Sequence, residues 1–307
     1  MAATTKDLKS ILSKLTHSDG AKVVEQIGEQ TKQLQARMVG IRRKLAILSG
    51  KGGVGKSMTT VNLALAFARQ DQQVAILDVD LNGPCVPHML GIRGQQLTMT
   101  PEGALPPVGP LGIKVGSMDF FLGDLSPVRW DRPMDLSPVW LGTLEMTVIR
   151  EFLADIVWGE VDYLLIDLPP GAAADKPPVI ASFIPDLDGA VVVTTPSEMA
   201  MDVVRKSVIY ARSLNIKILG LIENMSEYRC PECGTESELF ESQADEMCDA
   251  LEIPFLGRIP FDRDLARSFD KGKPLLDPAH PTIAKYAEIS GRIRDVLDFN
   301  KLLAEKL

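Results

Sequence analysis

Several residue types and patterns are scarce in this chain of 307 residues, and each shortage excludes a class of protein. No apolar run approaches the roughly 18 residues of a membrane-spanning helix, and the first residues, MAATTKDLKS, lack the apolar segment of a secretory signal. Basic residues are outnumbered, because 33 Lys and Arg face 41 Asp and Glu, for a net charge of −8. General binding to nucleic acid or to anionic membrane needs a basic surface, so we expect neither partner.

Cysteine is also rare, and the four cysteines do not form the dense framework of a secreted disulfide protein. We therefore expect a cytoplasmic protein whose thiols stay reduced and serve metal binding or chemistry. Cys85 and Cys248 are isolated in the sequence and are predicted to be buried or half-buried thiols. Cys230 and Cys233 stand two residues apart in RCPECGTE, which is the spacing of half a metal site.

Short apolar runs alternate with helical segments, which predicts a mostly parallel sheet covered by helices on both faces. The predicted strands are 44–50, 73–80, 113–117, 162–170, 189–195, 216–224 and 254–260. The predicted helices between and after them are 61–70, 137–157, 198–213, 241–251 and 282–298. Proline and glycine are frequent in 83–112 and 123–138, so both are predicted to be long loops.

The first forty residues have a different pattern from the rest of the chain. Their apolar residues recur at helical spacing, as Leu8, Ile11, Leu12 and Leu15 do. We predict an N-terminal helical arm over residues 1–40 and one domain over residues 41–307.

The segment GKGGVGKS, residues 50–57, matches the pattern G-x-x-x-x-G-K-[ST] of a phosphate-binding loop. It follows a predicted strand and opens a predicted helix, as that loop must. Its glycines let several backbone N–H groups point at one anion, and the helix N-terminus adds partial positive charge. We expect Lys56 to reach the β and γ phosphates and the Ser57 hydroxyl to bind Mg²⁺. The residues predicted to contact nucleotide in this loop are Gly52, Gly53, Val54, Gly55, Lys56 and Ser57.

Aspartates close two of the predicted strands. Asp167 ends YLLID, while Asp78 and Asp80 follow QVAIL. Ligands of open α/β sheets bind at the carboxyl ends of the strands, and Mg²⁺ in a phosphate-loop site takes a carboxylate from such a position. A lone aspartate at a strand end is often only a turn former, but three beside one phosphate loop favour a magnesium site.

Lys51 directly follows the first glycine of the loop. Taken alone, it could be a solvated loop lysine. Since Lys56 already occupies the path to the phosphates of its own chain, Lys51 can instead reach a phosphate bound across an interface. It would then stabilise charge on the transferring phosphoryl group in trans.

The combination of KGGVGKS, DxDxxGP and DLPPG resembles the deviant-Walker P-loop ATPases. Within that group the chain resembles the Mrp/ApbC iron–sulfur carrier proteins from about residue 41 to residue 300. The segments that carry this second resemblance are DVDLNGPCVPHMLG (78–91), WGEVDYLLIDLPPG (158–171), ENMSEYRCPECG (223–234) and GRIPFD (257–262). The resemblance implies a P-loop NTPase three-layer sandwich.

It also implies an ATP-operated homodimer with particular residue roles. Lys51 would cross to the nucleotide of the partner, Asp80 would position the attacking water, and Asp78 would support the hydrated Mg²⁺. Asn224 would hydrogen-bond adenine, with Pro260 packed on the base. Met58 stands where the family commonly has threonine, so only its backbone N–H is available for the α-phosphate.

The pair Cys230 and Cys233, in a predicted insertion at about 226–240, has three interpretations. A thioredoxin-like redox pair would open a helix after a strand in a different context. A structural zinc site or a 4Fe-4S cluster would each need four thiolates, which two chains related by a two-fold axis supply together. The resemblance points to a bridging 4Fe-4S cluster, with zinc as the alternative.

We therefore expect a slowly hydrolysing ATPase that scaffolds a 4Fe-4S cluster and delivers it to apo-proteins, with proteins of cluster assembly as further partners. A positioning ATPase of the MinD/ParA type shares the phosphate loop and Lys51 but does not need the cysteine pair. An ATPase that donates electrons from a bridging cluster would bring its cysteines singly from separate loops. An ATPase with a purely structural zinc is the remaining alternative.

Overall fold

The computed structural model describes residue 28 and residues 31–80, 83–120, 149–150, 152–171, 176–230, 232–233, 235–238 and 240–305. Most of the predicted arm (1–40), the predicted loop 123–138 and most of the predicted helix 137–157 lie outside these residues. Residues 31–38 are helical, and Leu34 and Met38 in this stretch are buried in the core. The division into an arm (1–40) and a domain (41–307) stays a prediction.

The described strands build a central parallel sheet in the order β10-β8-β7-β1-β6-β2-β5, with β9 added to β8 in the antiparallel sense. The strands are β1 (Ile41–Leu48), β2 (Val74–Asp78), β3 (Thr98–Thr100), β4 (Gly103–Leu105), β5 (Lys114–Ser117), β6 (Val161–Asp167), β7 (Gly189–Thr194), β8 (Ile218–Arg229), β9 (Glu236–Glu238) and β10 (Phe255–Phe261). Strands β3 and β4 form a separate small hairpin. The mostly parallel sheet expected from the apolar runs is confirmed.

Helices cover both faces of this sheet. They are α1 (Lys56–Ala68), α2 (Val86–Met89), α3 (Lys176–Ser182), α4 (Glu198–Ser213), α5 (Ala244–Leu251), α6 (Arg263–Asp270) and α7 (Pro281–Ala304). One core cluster includes residues of α1, α6 and α7, and the other includes residues of α3, α4 and α5. The predicted three-layer sandwich is therefore confirmed.

Strand β1 shows why the sequence forms this architecture. Leu45 and Ile47 belong to one core cluster, whereas Ala46 and Leu48 belong to the other. Successive side chains of a strand point to opposite faces, so a run that is apolar at every position is stable only between two layers of helices.

The predicted loop 83–112 and the predicted end of β8 are among the sequence predictions that differ from the structure. Residues 83–112 contain α2 and the β3–β4 hairpin rather than one long loop, because Pro87 suits the first turn of a helix and the flanking glycines allow tight turns. Strand β8 continues to Arg229, beyond the predicted end at residue 224, because β9 and β10 pair with its polar second half.

A helix must be both long and apolar to cross a lipid bilayer. None of the helices in the described part of the chain meets both requirements.

Candidate functional site

The loop between β1 and α1 has the backbone form of a phosphate-binding loop. Gly53 and Gly55 have φ angles of 79° and 80°, a left-handed conformation that residues with a Cβ adopt only at a cost. A Cβ on Gly55 would also lie 2.2 Å from Asn224 Nδ2, so this position admits only glycine. Helix α1 begins at Lys56 without a side-chain cap from the described residues, which leaves its first N–H groups available to an anion.

Lys56 and Asp167 form a buried ion pair beneath this loop. Lys56 Nζ lies 2.7 Å from Asp167 Oδ1, and the two side chains are 6% and 0% exposed. The Ser57 hydroxyl donates to Asp167 Oδ2 (2.5 Å), and the Thr60 hydroxyl donates to Asp167 Oδ1 (2.8 Å). The structure therefore brings Lys56, which is predicted to reach the phosphates, together with Ser57 and Asp167, two of the three predicted magnesium ligands.

A row of polar residues crosses three neighbouring strands at their carboxyl ends. The register pairs Ser117 of β5 with Asp78 of β2, and Asp78 with Asp167 of β6. Ser117 Oγ donates to Asp78 Oδ2 over 3.2 Å, and all three residues are buried. Sequence reasoning missed Ser117. Its position at the end of the predicted strand IKVGS was the available signal, but a serine there also suits a turn.

The two carboxylates in this row affect each other. Burial raises the pKa of Asp78 to about 8, and the charge of Asp167 acts in the same direction, while Lys56 opposes the shift. A bound cation would reverse this balance. The hydroxyl of Ser57 and the carboxylates of Asp78 and Asp167 are hard oxygen donors, so the residues present fit Mg²⁺.

The two isolated cysteines are a half-buried and a buried thiol, as expected. Cys85 lies beside the magnesium-type site, where burial raises its pKa to about 11 and the Ser57 hydroxyl acts against this shift. Cys248 lies on α5, where burial raises its pKa to about 12. Both are therefore neutral thiols near pH 7.

Asn224 connects β8 to the phosphate loop. Its Nδ2 donates to the Val54 carbonyl over 2.9 Å, and the residue is fully buried. Its Oδ1 is buried and has no hydrogen-bond partner among the described residues. An unpaired buried amide oxygen is costly, so it is suited to accept from an N–H group of a ligand. The register pairs Asn224 with Ile259, which places the buried Pro260 next to it along β10.

The remaining predicted site residues lie around the same loop. Lys51 and Gly52 are exposed, and Met58 is half-buried on the first turn of α1. Asp80 is half-buried two residues after β2, and its Oδ1 accepts from the Gly83 N–H over 3.2 Å. The roles assigned to these residues stay predictions.

The cysteine pair lies in a different part of the chain, at the tip of the β8–β9 hairpin. Arg229 pairs with Glu236, and the Cys230 N–H donates to the Thr235 carbonyl over 2.9 Å, so the turn of the hairpin begins at Cys230 and contains Cys233. Cys230 is half-buried and Cys233 is exposed. Thr235 Oγ1 lies 3.2 Å from Cys233 Sγ. Hydrogen bonds from Thr235, with a smaller contribution from Cys230, lower the pKa of Cys233 to about 7.

In the described part of the chain, the hairpin tip brings together two metal ligands and no more. Among the described residues, no group of three or more His, Cys, Asp or Glu side chains is placed to hold a metal ion. Zinc and 4Fe-4S sites with thiolate ligands each use four of them. Within the residues that the structure describes, the pair therefore lacks two of the four ligands that either site would use.

A parallel sheet with a glycine-rich loop between β1 and α1, and an Asp at the end of β6 paired with the loop lysine, defines a P-loop NTPase. Residues 40–294 match the family model described as "ParA: NUBPL iron-transfer P-loop NTPase", and the chain belongs to this family. The resemblance to iron–sulfur carrier proteins is thereby confirmed.

Individual relatives agree with this assignment. The chain is 41% identical over 287 residues to an iron–sulfur cluster carrier protein of Saccharolobus solfataricus, covering 92% of this chain and 93% of the relative. A nucleotide-binding protein of Archaeoglobus fulgidus, solved in complex with ADP and with cobalt found in it, is 36% identical. It superimposes with a TM-score of 0.70 over 83% of this chain and 95% of that one.

A more distant structure shares the fold alone. The cell division ATPase MinD of Pyrococcus furiosus is 20% identical, with a TM-score of 0.57 over 83% of this chain and 99% of that one.

Proposed function

We propose that this chain works as an ATP-binding, slowly hydrolysing homodimer that holds a 4Fe-4S cluster between two protomers and delivers it to apo-proteins. The observation that carries the proposal is the pair of the half-buried Cys230 and the exposed Cys233 on a chain that also has a phosphate loop. Two copies related by a two-fold axis would supply four thiolates at one interface. Membership of an iron-transfer NTPase family and the name of the Saccharolobus relative support this proposal.

We infer that the nucleotide is ATP. The loop from Gly52 to Met58 supplies backbone N–H groups for the phosphates, and the ADP bound to the Archaeoglobus relative supports this use. The unpaired Oδ1 of Asn224 is suited to accept from the exocyclic amine of adenine, a group that guanine does not present at that position.

Hydrolysis would use the charged residues around this loop. Lys56 would leave Asp167 for the β and γ phosphates, and Asp80 would orient the attacking water. Lys51 is exposed and would stabilise the transferring phosphoryl group of the partner subunit. Ser57, Asp78 and Asp167 would hold Mg²⁺, which neutralises charge on the phosphates when bound. Positioning and charge neutralisation dominate such reactions, so the rate depends on how completely two protomers assemble the site.

The cysteine pair is suited to a cargo that must be taken up and released. A thiolate is the form that binds metal, and Cys233 is exposed and close to half-ionised at neutral pH. Exposure at a hairpin tip gives an acceptor protein direct access. The positioning-ATPase alternative uses the phosphate loop and Lys51 but gives Cys230 and Cys233 no role. A cytoplasmic location, where thiols stay reduced, fits this chemistry.

Metal analysis after anaerobic purification tests the proposal. Wild type is expected to contain about four irons and four sulfides per dimer, as one 4Fe-4S cluster requires. Cys230→Ala is expected to lose both. Cys248→Ala is the matched control because Cys248 is a buried thiol on α5 and not part of the turn between β8 and β9.

Two results would contradict the proposal. Tight zinc with no iron, even after anaerobic reconstitution, would favour a structural site. Iron that is retained by the protein but never transferred to an apo iron–sulfur protein would refute delivery.

A further inference from the structure

Thr60 lies on α1, one turn after Lys56, and its hydroxyl faces the buried carboxylate of Asp167. Thr60 Oγ1 lies 2.8 Å from Asp167 Oδ1 and 3.1 Å from the Lys56 carbonyl, and the side chain is fully buried. A hydroxyl has one proton and can donate to only one of these acceptors at a time. The carboxylate is nearer and charged, so it is the stronger acceptor.

Among the described residues, three side chains donate to Asp167. They are Lys56 and Thr60 at Oδ1, and Ser57 at Oδ2. Under the proposed function, Lys56 must turn to the phosphates and the oxygen of Ser57 must serve Mg²⁺. Thr60 has no such second task, since it is buried on the sheet side of the helix. Of the three donors, Thr60 is therefore the one that can keep its hydrogen bond to Asp167 when nucleotide and Mg²⁺ bind.

We propose that Thr60 is a positioning residue that holds Asp167 Oδ1 in place when Lys56 moves to the nucleotide. The proposal rests on the proposed nucleotide function of the site. Asp167 is 0% exposed. Without the Thr60 hydroxyl, Lys56 would be the one side-chain donor to Asp167 Oδ1 among the described residues. Asp167 would then compete with the phosphates for the lysine, because a buried carboxylate without a donor is strongly disfavoured.

A structural role is the competing explanation, because the hydroxyl could serve only its own helix by bonding to the Lys56 carbonyl. Thr60→Val keeps the branched shape of the side chain and removes the donor, whereas Thr60→Ser keeps the donor. Thr59→Val is a matched control because Thr59 is equally buried on the same helix, and its hydroxyl has no hydrogen-bond partner among the described residues.

The experiment measures the affinity of the full chain for ATP by calorimetry over a series of Mg²⁺ concentrations. Thr60→Val is expected to raise the Mg²⁺ concentration that gives half-maximal affinity by about tenfold, the scale of one hydrogen bond to a charged group. Thr60→Ser and Thr59→Val are expected to stay within about twofold of wild type, since they keep this donor. The apparent melting temperature of each nucleotide-free variant is recorded alongside, because a purely structural role would change only that value.

An unchanged Mg²⁺ dependence in Thr60→Val would overturn the proposal, as would an equal shift in Thr59→Val. If Thr60→Val does not fold, Thr60→Ala is compared with Thr60→Ser by the same criterion. Wild type that does not bind ATP at any Mg²⁺ concentration would refute the proposed function itself, and Thr60 would lose its assigned role with it. The two failures are distinguishable because the first is seen only in the variants.

Discussion

Asp78 and Asp167 are buried on neighbouring strands, but their carboxylates have different hydrogen-bond and ion-pair partners. Asp167 is paired with the cation of Lys56, whereas Asp78 accepts from the Ser117 hydroxyl and from two backbone N–H groups, all of them neutral. Burial and the neighbouring charge of Asp167 favour the protonated carboxyl and outweigh Lys56 and the two backbone donors, which is why the pKa of Asp78 rises to about 8. Without nucleotide and Mg²⁺, Asp78 is therefore largely protonated at neutral pH.

This shift gives a stability prediction with a definite sign. The folded pKa lies above the unfolded value, so the folded state binds more protons between about pH 4 and pH 8, and stability falls as pH rises through that window. Asp78→Asn removes this loss. In metal-free buffer, wild type should therefore lose melting temperature relative to Asp78→Asn as the pH rises. The difference between the two proteins should change by several degrees in favour of the variant between pH 5 and pH 8.

Thermal denaturation across this pH range measures the effect. Asp249→Asn serves as the control for charge removal, because Asp249 is exposed on α5. A difference between Asp78→Asn and wild type that stays constant with pH would contradict the assignment.

Cys233 provides a second prediction for a single residue. Because Thr235 is the main cause of its lowered pKa, alkylation of Cys233 by iodoacetamide should rise with a midpoint near pH 7. Thr235→Val should move this midpoint to higher pH, and Thr235→Ser should keep it. Mass spectrometry separates the sites, and Cys85 and Cys248 should stay unmodified at pH 7 as internal controls. An unmoved midpoint in Thr235→Val would show that the hydroxyl is not the cause.

Among the secondary-structure elements, β8 links the two sites. It passes the phosphate loop at Asn224 and reaches the cysteine turn at its end, Arg229. Between them, Met225 has a φ of 57°, and the register against β10 is irregular between Asn224 and Tyr228. A bulge of this kind bends a strand and changes the direction of its second half. The cysteine turn therefore follows an irregular part of β8, which separates it along the chain from Asn224, the residue that contacts the phosphate loop.

Replacing residues 230–235 with Asn-Gly tests this separation. Arg229 and Glu236 are paired directly, so a two-residue turn can join the strands without changing their register. The shortened protein should bind ATP within about twofold of wild type and lose less than about 1 kcal/mol of stability, because the exposed Glu232, Cys233 and Thr235 contribute little packing. It should retain no iron after anaerobic reconstitution. A large loss of ATP affinity, measured by calorimetry, would show instead that the turn supports the nucleotide site.

At the scale of the whole molecule, the proposed homodimer accounts for two features of the described residues. The hairpin offers one pair of cysteines, and Lys51 is exposed while Lys56 occupies the buried position beside Asp167. Both features would be completed by a second copy of the chain. If Lys51 acts across the interface, its absence in one protomer can be compensated by the other.

Mixing two inactive variants tests this complementation. In a heterodimer of Lys51→Ala and Lys56→Ala, one nucleotide site has both its own Lys56 and the Lys51 of the other protomer. Random pairing of equal amounts should therefore restore about a quarter of wild-type ATP hydrolysis, since half of the dimers have one intact site each. Each variant alone should be close to background. A mixture that stays inactive, although the chains exchange, would place Lys51 in its own site.

The accuracy of the sequence-based predictions depended on how local each feature is. The phosphate loop was recognisable because its backbone form is encoded in eight consecutive residues, and β7 was placed to within one residue because GAVVVT is apolar throughout. The end of β8 was missed because its second half is polar and is held by pairing with β9 and β10, which the sequence of β8 does not show. Ser117 was missed for a similar reason, since a serine at a strand end has no distinctive pattern.

The sequence by itself determined the fold class, the phosphate loop and the half metal site, because apolar runs, glycine positions and cysteine spacing act over a few residues. The tertiary structure decided which side chains meet. Lys56 reaches Asp167 across 111 residues of sequence, and Ser117 reaches Asp78 across 39. The register of the parallel strands makes these contacts, and burial then sets the protonation of Asp78. Strand register and burial arise only when distant segments pack, so the chemistry of the site depends on the folded chain.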